Sequence, residues 1–316
     1  MANILFVVHR YVPFSGGSEY FVRDMAEECL ARGHRVTVLA HENKGDQNGV
    51  TVSSDYQILM KKWDLILVHG ADVVSQNIAH INAYTIKSPV VYMLIKPSES
   101  AEAINGMKHH KFISYSTSMD IEHIKTHGYG YHVDKARRIR HGVIPETTIY
   151  EKNMKCDVPI WVSAGGYYPH KGMVALGHAF ENSDVPGELH LYGYAEGPGP
   201  KPSDRVKVHF GSPRDEVMHM IANADGYIMN SYEEGFGLVL LEAMMNKTPW
   251  FARNIAGAAD MKQYGHVYEN EKELMEMLKS YVRVDRDIED AYNYAMSNHT
   301  IVNTVNDIED ILWGLI

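Results

Sequence analysis

Two glutamates, Glu234 and Glu242, have seven residues between them, including a Gly-Phe-Gly turn, Gly235–Gly237. Paired carboxylates can work as an acid/base couple, or they can hold separate parts of one ligand. The spacing bears on that choice. Leu238 to Met245 is rich in helix formers, so Glu242 belongs to a helix while Glu234 precedes it. Eight positions turn a helix by about 80° beyond two full turns, so the acids do not share a helix face. The apolar run Asp225–Asn230 before them reads as a buried strand. A strand–glycine turn–helix junction lies at the carboxyl edge of a parallel sheet, where ligands bind. The N–H groups of the helix start, near Phe236 and Leu238, favour an anion there. Taken alone, the two acids also fit a solvated turn residue and a first-turn acid that complements the helix dipole.

Two further loops have the same design. Gly16–Gly17 follow the apolar strand Asn3–Val8 and open a helix, with Ser18 as the expected N-cap; they fit a tight turn as well as a phosphate or substrate contact. Gly165–Gly172 follows the strand Ile160–Ala164 and carries Lys171 at the mouth of another helix. A lysine there opposes the helix dipole, so an anionic ligand would give it a purpose. His69 ends the strand Asp64–His69 at the ligand edge, as a site residue or as a packed histidine. His123 and His127 have helical metal-ligand spacing but lack a third ligand, and they suit a helix C-terminus better.

Repeated β and α signals run the length of the chain, which implies parallel sheets covered by helices. The first half reads as strands at 3–8, 35–40, 50–52, 64–69, 89–95 and 112–115. The second half has strands at 160–164, 188–192, 206–210, 225–230 and 248–252, a small-residue turn at 254–259 and a helix at 271–284. Periodicity lapses near 151–159, which marks a linker. The expected domains are 1–150, 151–290 and a helical tail, 291–316, that crosses back to the first domain. The first glycine loop is not G-x-G-x-x-G and no acid closes the second strand, so a dinucleotide site is not supported.

The 316 residues suit two domains, and the net charge of −10 opposes a general electrostatic grip on nucleic acid or anionic lipid. The basic stretch Lys135–Arg140 reads as a solvated face, with an anionic acceptor or peripheral contact with a membrane surface as the sharper alternative. Two cysteines, no signal-peptide pattern and no run of about 20 apolar residues lead us to expect a cytoplasmic protein.

These residues carry a resemblance. Pro13…Gly16-Gly17-Ser-Glu19, Gly33-His34-Arg-Val36, Asp64…His69, His141-Gly142-Val143, Lys171-Gly172, Gly211 and Glu234-Gly-Phe-Gly…Glu242-Ala-Met244 resemble the retaining glycosyltransferases of family four. The resemblance covers nearly the whole chain and implies the GT-B fold, with two Rossmann-like domains facing across a cleft. It implies a hexosyltransferase that needs no metal or cofactor and takes a UDP- or GDP-linked sugar as donor. By motif position, Glu234 would hold sugar hydroxyls, Glu242 the ribose and Lys171 the diphosphate. His69 would join the catalytic group. Gly16, Gly17, Gly235, Phe236, Gly237 and Leu238 would face the donor, and Gly211, Ser212 and Arg214 would flank its base. Glu234 would then orient and stabilise, and the pair would not be an acid/base couple.

Three departures stand out. Gly165-Gly166-Tyr167 replaces a phosphate-binding arginine of the family, leaving Arg214 or Arg10 to compensate. Ile95-Lys96-Pro97 stands where a site histidine is usual, and His141 replaces a common asparagine. The departures keep two rivals open: a catalytically inactive sugar-nucleotide-binding or partner protein on the same fold, and a sugar-nucleotide epimerase. The acceptor is not read from the residues.

Overall fold

The computed structural model describes residues 1–13, 16–43, 45–70, 73–93, 112–126, 130–145, 158–194 and 199–314. The Ile95–Pro97 segment, His127, the linker at 151–157 and the final Leu315 and Ile316 lie outside the described residues. The chain divides into two compact units, Met1–Ile144 with His299–Ile316, and Pro145–Asn298.

Unit 1 contains β1 (Asn3–Arg10), α1 (Gly17–Ala31), β2 (Arg35–Glu42), β3 (Thr51–Ser53), β4 (Leu65–His69), α2 (Val73–Thr85), β5 (Val90–Met93), β6 (Phe112–Tyr115), α3 (Ser118–Thr126) and β7 (Ala136–Arg138). All strands pair in parallel in the order β3-β2-β1-β4-β5-β6-β7. The order reverses beside β1, so the carboxyl ends of β1 and β4 form the crevice where such sheets bind ligands. The two loops singled out in this half, Gly16–Gly17 and His69, leave from those two strands.

Unit 2 contains β8 (Ile160–Ala164), α4 (Met173–Glu181), β9 (Glu188–Gly193), β10 (Val206–Phe210), α5 (Arg214–Asn223), β11 (Gly226–Met229), α6 (Leu238–Met245), β12 (Trp250–Arg253), α7 (Ala256–Asp260), β13 (His266–Tyr268), α8 (Glu271–Ser280) and α9 (Asp285–Asn298). Its parallel order is β10-β9-β8-β11-β12-β13, the same plan. Here the reversal falls between β8 and β11, the strands that feed Lys171 and Glu234. The last helix, α10 (Ile301–Trp313), belongs to unit 1 and packs along α1. Arg140 pairs with Asp307, and Arg32 and His34 with Glu309.

Core strands are apolar on both faces, as sheets covered on both sides require: β4, β5, β11 and β12 are buried throughout. Each fully buried aliphatic side chain contributes about 1.5–3 kcal/mol, so apolar packing holds the sheets and their loop ends are left to carry polar groups.

Some elements differ from the sequence reading. Helix α1 starts two residues early, with Gly16 rather than Ser18 at the cap position and no side-chain cap bond. The small-residue stretch at 254–259 forms the short helix α7 instead of a turn. The helix expected at 271–284 stops at Ser280, where Tyr281 turns to extended backbone. Helix α2 and strands β7 and β13 are additional elements. Among the described residues, no helix is long and apolar enough to cross a membrane.

Candidate functional site

The charged site is built on unit 2. After β8, the chain turns through Gly165 (φ +156°) and reaches a 3-10 turn, Pro169–Lys171. Gly172 follows in the left-handed region (φ +65°), and a side chain there would run into the Asn230 carbonyl. Glycine is therefore required on two counts, by conformation and by space. The turn presents the Lys171 Nζ to Glu234 Oε1 at 2.5 Å, and Ser231 Oγ donates to the same oxygen at 3.1 Å. The two side chains are 26% and 16% exposed, so the pair stays open to a ligand.

Glu234 leads through Gly235 and Phe236 to Gly237, which caps α6 at φ +91°. A Cβ at Gly237 would come within 2.9 Å of the Met229 sulfur. No side chain caps this helix start, so its N–H groups lack a built-in acceptor from a cap residue. The Gly257 N–H of α7 donates to the Phe236 carbonyl at 3.1 Å, and any Cβ on Gly257 would crowd that oxygen. The small residues at 254–259 thus let α7 brace the turn.

Glu242 lies on the second turn of α6. Helix α6 has no acid in its first turn, which removes the reading of Glu242 as a dipole-complementing residue. Arg214, the first residue of α5, holds Glu242 Oε1 at 2.5 Å. Ser212 Oγ donates to Glu216 at 3.0 Å. Gly211 (φ +67°) anchors to the Gly193 carbonyl at 2.8 Å, and the space where its side chain would stand is open. The structure thus joins Lys171 to Glu234 and Arg214 to Glu242, and it sets Gly211 and Ser212 beside Arg214.

The missing phosphate-site cation has a structural counterpart. A side chain on Gly166 would run into the Tyr168 ring, which stacks on His170 with centroids 5.7 Å apart. Tyr167 fills the adjacent interior and donates to the Leu191 or His209 carbonyl, each 2.9 Å away.

Unit 1 offers a different chemistry. Gly16 has extended backbone, and the Glu19 carboxylate folds back against it while pairing with Arg10 at 3.2 Å. Arg10 is thereby committed to an acid of its own unit. His69 is buried and edge-on to Phe21, at 5.7 Å. Burial pushes its pKa down to about 4, and its Nδ1 has no hydrogen-bond partner among the described residues. His141 stacks on the other part of the cluster, 4.6 Å from Phe21. Burial, reinforced by His69 and His299, pushes its pKa down to about 3. Both imidazoles are neutral at pH 7, and His299 Nδ1 donates to the His141 carbonyl at 2.7 Å. Among the described residues, no group of three or more His, Cys, Asp or Glu could hold a metal ion.

Comparison with known proteins adds a family. Residues 151–282 match the model described as "Glycosyl transferases group 1". The match starts and ends within unit 2. No curated protein matches the sequence. Among solved structures, Anabaena HepE in complex with UDP and glucose has a TM-score of 0.81 at 16% identity, over 99% of this chain and 100% of that one. Sucrose-phosphate synthase from Thermosynechococcus elongatus gives 0.79 at 14% identity, over 100% and 99%. A glycosyltransferase from Rickettsia africae gives 0.77 at 15%, over 98% and 97%. At these identities the likeness establishes the GT-B fold for the whole chain. The group 1 domain and the GT-B fold together support a glycosyltransferase.

Sequence reasoning missed four residues of the group 1 domain that surround this site: Asn230, Tyr232, Arg253 and Glu271. Asn230, a polar residue closing an apolar strand, was the available signal.

Proposed function

We propose that the protein is a retaining, metal-independent glycosyltransferase of family four, acting in the cytoplasm on a UDP- or GDP-linked sugar. The observation that carries this reading is the Lys171–Glu234 pair, set at the strand reversal of unit 2 beside the uncapped start of α6. HepE, of the same fold, was crystallised with UDP-glucose.

In this reading the donor exchanges partners with both ion pairs. Both pairs are partly exposed, and ion pairs open to solvent contribute roughly 0–1 kcal/mol each, so their opening is a small cost. The diphosphate takes Lys171 Nζ and the free N–H groups of α6. Glu234 turns to sugar hydroxyls and Glu242 to the ribose. As the glycosidic bond lengthens, negative charge grows on the diphosphate, where the lysine and the helix end already point. The departing phosphate accepts the acceptor's proton on the same face, so no carboxylate need flank the bond. Arg214, released from Glu242, stands in for the cation missing at Gly166.

The test is a thermal-shift panel of nucleotides and nucleotide sugars, followed by donor hydrolysis in EDTA. A sugar donor that stabilises the chain beyond its free nucleotide, with turnover whose product keeps the anomeric configuration by NMR, is the expected result. No shift with any nucleotide sugar refutes the reading. Tight donor binding with no turnover would instead favour the inactive binder, for which the covered Gly166 is the specific observation.

A further inference from the structure

The two carbonyls on either side of Lys171 are both held by the Glu234 loop. Asn230 Nδ2 donates to the Gly172 carbonyl at 2.9 Å, and the Tyr232 N–H donates to the His170 carbonyl at 2.7 Å. Residues 230 and 232 are in turn gripped by one carboxylate, Glu271 at the start of α8. It accepts from Asn230 Nδ2 at 3.1 Å and from the Tyr232 hydroxyl at 2.9 Å. Arg253, at the end of β12, closes the set: its Nη2 reaches Glu271 at 2.5 Å, its Nη1 reaches the Glu269 carbonyl at 2.7 Å, and its guanidinium lies 4.4 Å from the centre of the Tyr232 ring.

Every polar position of the Asn230 side chain is used, since Oδ1 accepts from Tyr268 at 2.8 Å and the residue is 1% exposed. Burial alone would favour a neutral Glu271. The hydrogen bonds from Arg253 and Asn230, its own backbone N–H and the Tyr232 hydroxyl outweigh burial and hold its pKa down to about 2, so it is a fixed anion at neutral pH. An ion pair withdrawn this far from water is a poor way to gain stability, because apolar groups of the same volume often serve better. What this one supplies is direction: the carboxylate can only be satisfied if residues 230, 232 and 253 take one arrangement, and that arrangement fixes the carbonyls flanking Lys171.

We infer that Asn230 and Glu271 are positioning residues for glycosyl transfer, holding the Lys171 turn and the Glu234 loop in the register that brings Nζ to the carboxylate. The inference rests on the reading under Proposed function. It predicts an effect on the step in which charge develops, more than on ground-state binding, because small misplacements of a catalytic group act mainly there.

The experiment compares the wild type with Asn230→Ala, Glu271→Ala and Glu271→Gln in the full chain, each at a temperature where circular dichroism shows it folded. Donor turnover gives kcat, and calorimetry with UDP gives Kd. We expect Asn230→Ala and Glu271→Ala to lower kcat about 30-fold, in line with misplacements of under 1 Å, while Kd for UDP stays within about threefold. Glu271→Gln, which keeps an oxygen for Asn230 and Tyr232, should recover kcat to within about fivefold of wild type. In a Lys171→Met background, Asn230→Ala should cost less than about a further twofold, because the two residues act through one element. A lower melting temperature with unchanged kcat in Asn230→Ala and Glu271→Ala overturns the inference and leaves the glycosyltransferase reading standing. So does a full further loss in the Lys171→Met background. A wild type that neither binds nor turns over any nucleotide sugar overturns both.

Discussion

The two units share a sheet plan but arm their ligand edges in opposite ways. At the edge of unit 2, Glu234, Glu242 and Glu271 are held by Lys171, Arg214 and Arg253, each pair within 2.5 Å. At the edge of unit 1, the group nearest the strand reversal is a buried neutral cluster, His69 and His141 around Phe21, with the Glu19–Arg10 pair closing the glycine loop. Exchangeable ion pairs suit a ligand that brings its own charge. Neutral imidazoles under an aromatic ring suit hydroxyls or a fixed shape. A shared topology therefore says little about which half does what; the residues at the strand ends decide it.

Removing the charge from unit 2 is the sharpest way to break this contrast. Lys171→Met and Glu234→Gln should each lower donor turnover about 10²–10³-fold, roughly 3–4 kcal/mol of transition-state stabilisation, with little change in melting temperature. Steady-state kinetics would decide, and a loss under tenfold would mean that the pair is ornamental. Acid comes next, and should strike the histidine cluster. The folded pKa values of His69 and His141 lie below the unfolded value of 6.5, so the unfolded chain binds protons first. Stability is present above pH 6.5 and is lost as pH falls toward 4, by about 2–3 kcal/mol per histidine. Urea melts at pH 7, 5.5 and 4.5 would show it, and His69→Leu should flatten the profile. The Glu271 carboxyl follows the same sign at lower pH. Its folded pKa is below the usual carboxylate value, so its contribution persists at pH 5 and disappears only between about 4.5 and 2.

A smaller effect is expected at the ribose end. Arg214→Met frees Glu242 but removes a cation, and should weaken UDP-sugar binding by about three- to tenfold, near 1 kcal/mol, as read by calorimetry. The smallest is none at all: EDTA should leave turnover unchanged, and restoration of activity by Mg²⁺ or Mn²⁺ would contradict the proposed metal-free mechanism.

The sequence carried the βα rhythm, the three glycine loops and the Glu-x₇-Glu spacing, because each is a local pattern of apolar period or turn chemistry. It did not carry the partners. Lys171 meets Glu234 across 63 positions and Arg214 meets Glu242 across 28, and no local spacing records such pairings. Asn230, Arg253 and Glu271 escaped for the same reason, as polar residues at element ends that hydrophobic periodicity passes over. Strand β13 has three residues, too few for a period to show. The helix α1 cap went to Gly16 because Glu19 reaches back over it, a contact that the preference for serine at caps does not anticipate.

The return of α10 to unit 1 has a consequence for how the protein is made. Unit 2 is one continuous stretch of chain, whereas unit 1 takes its first 144 residues and its last helix from opposite sides of that stretch. On the ribosome, the nascent sheet of unit 1 emerges first and must wait through the whole synthesis of unit 2 for Asp307 and Glu309 to reach Arg140, Arg32 and His34. In that interval the apolar side of α1 that α10 covers is bare. A chaperone that binds exposed helices during synthesis would find its target there, and a ribosome stalled before residue 299 would hold a finished unit 2 on an unfinished unit 1.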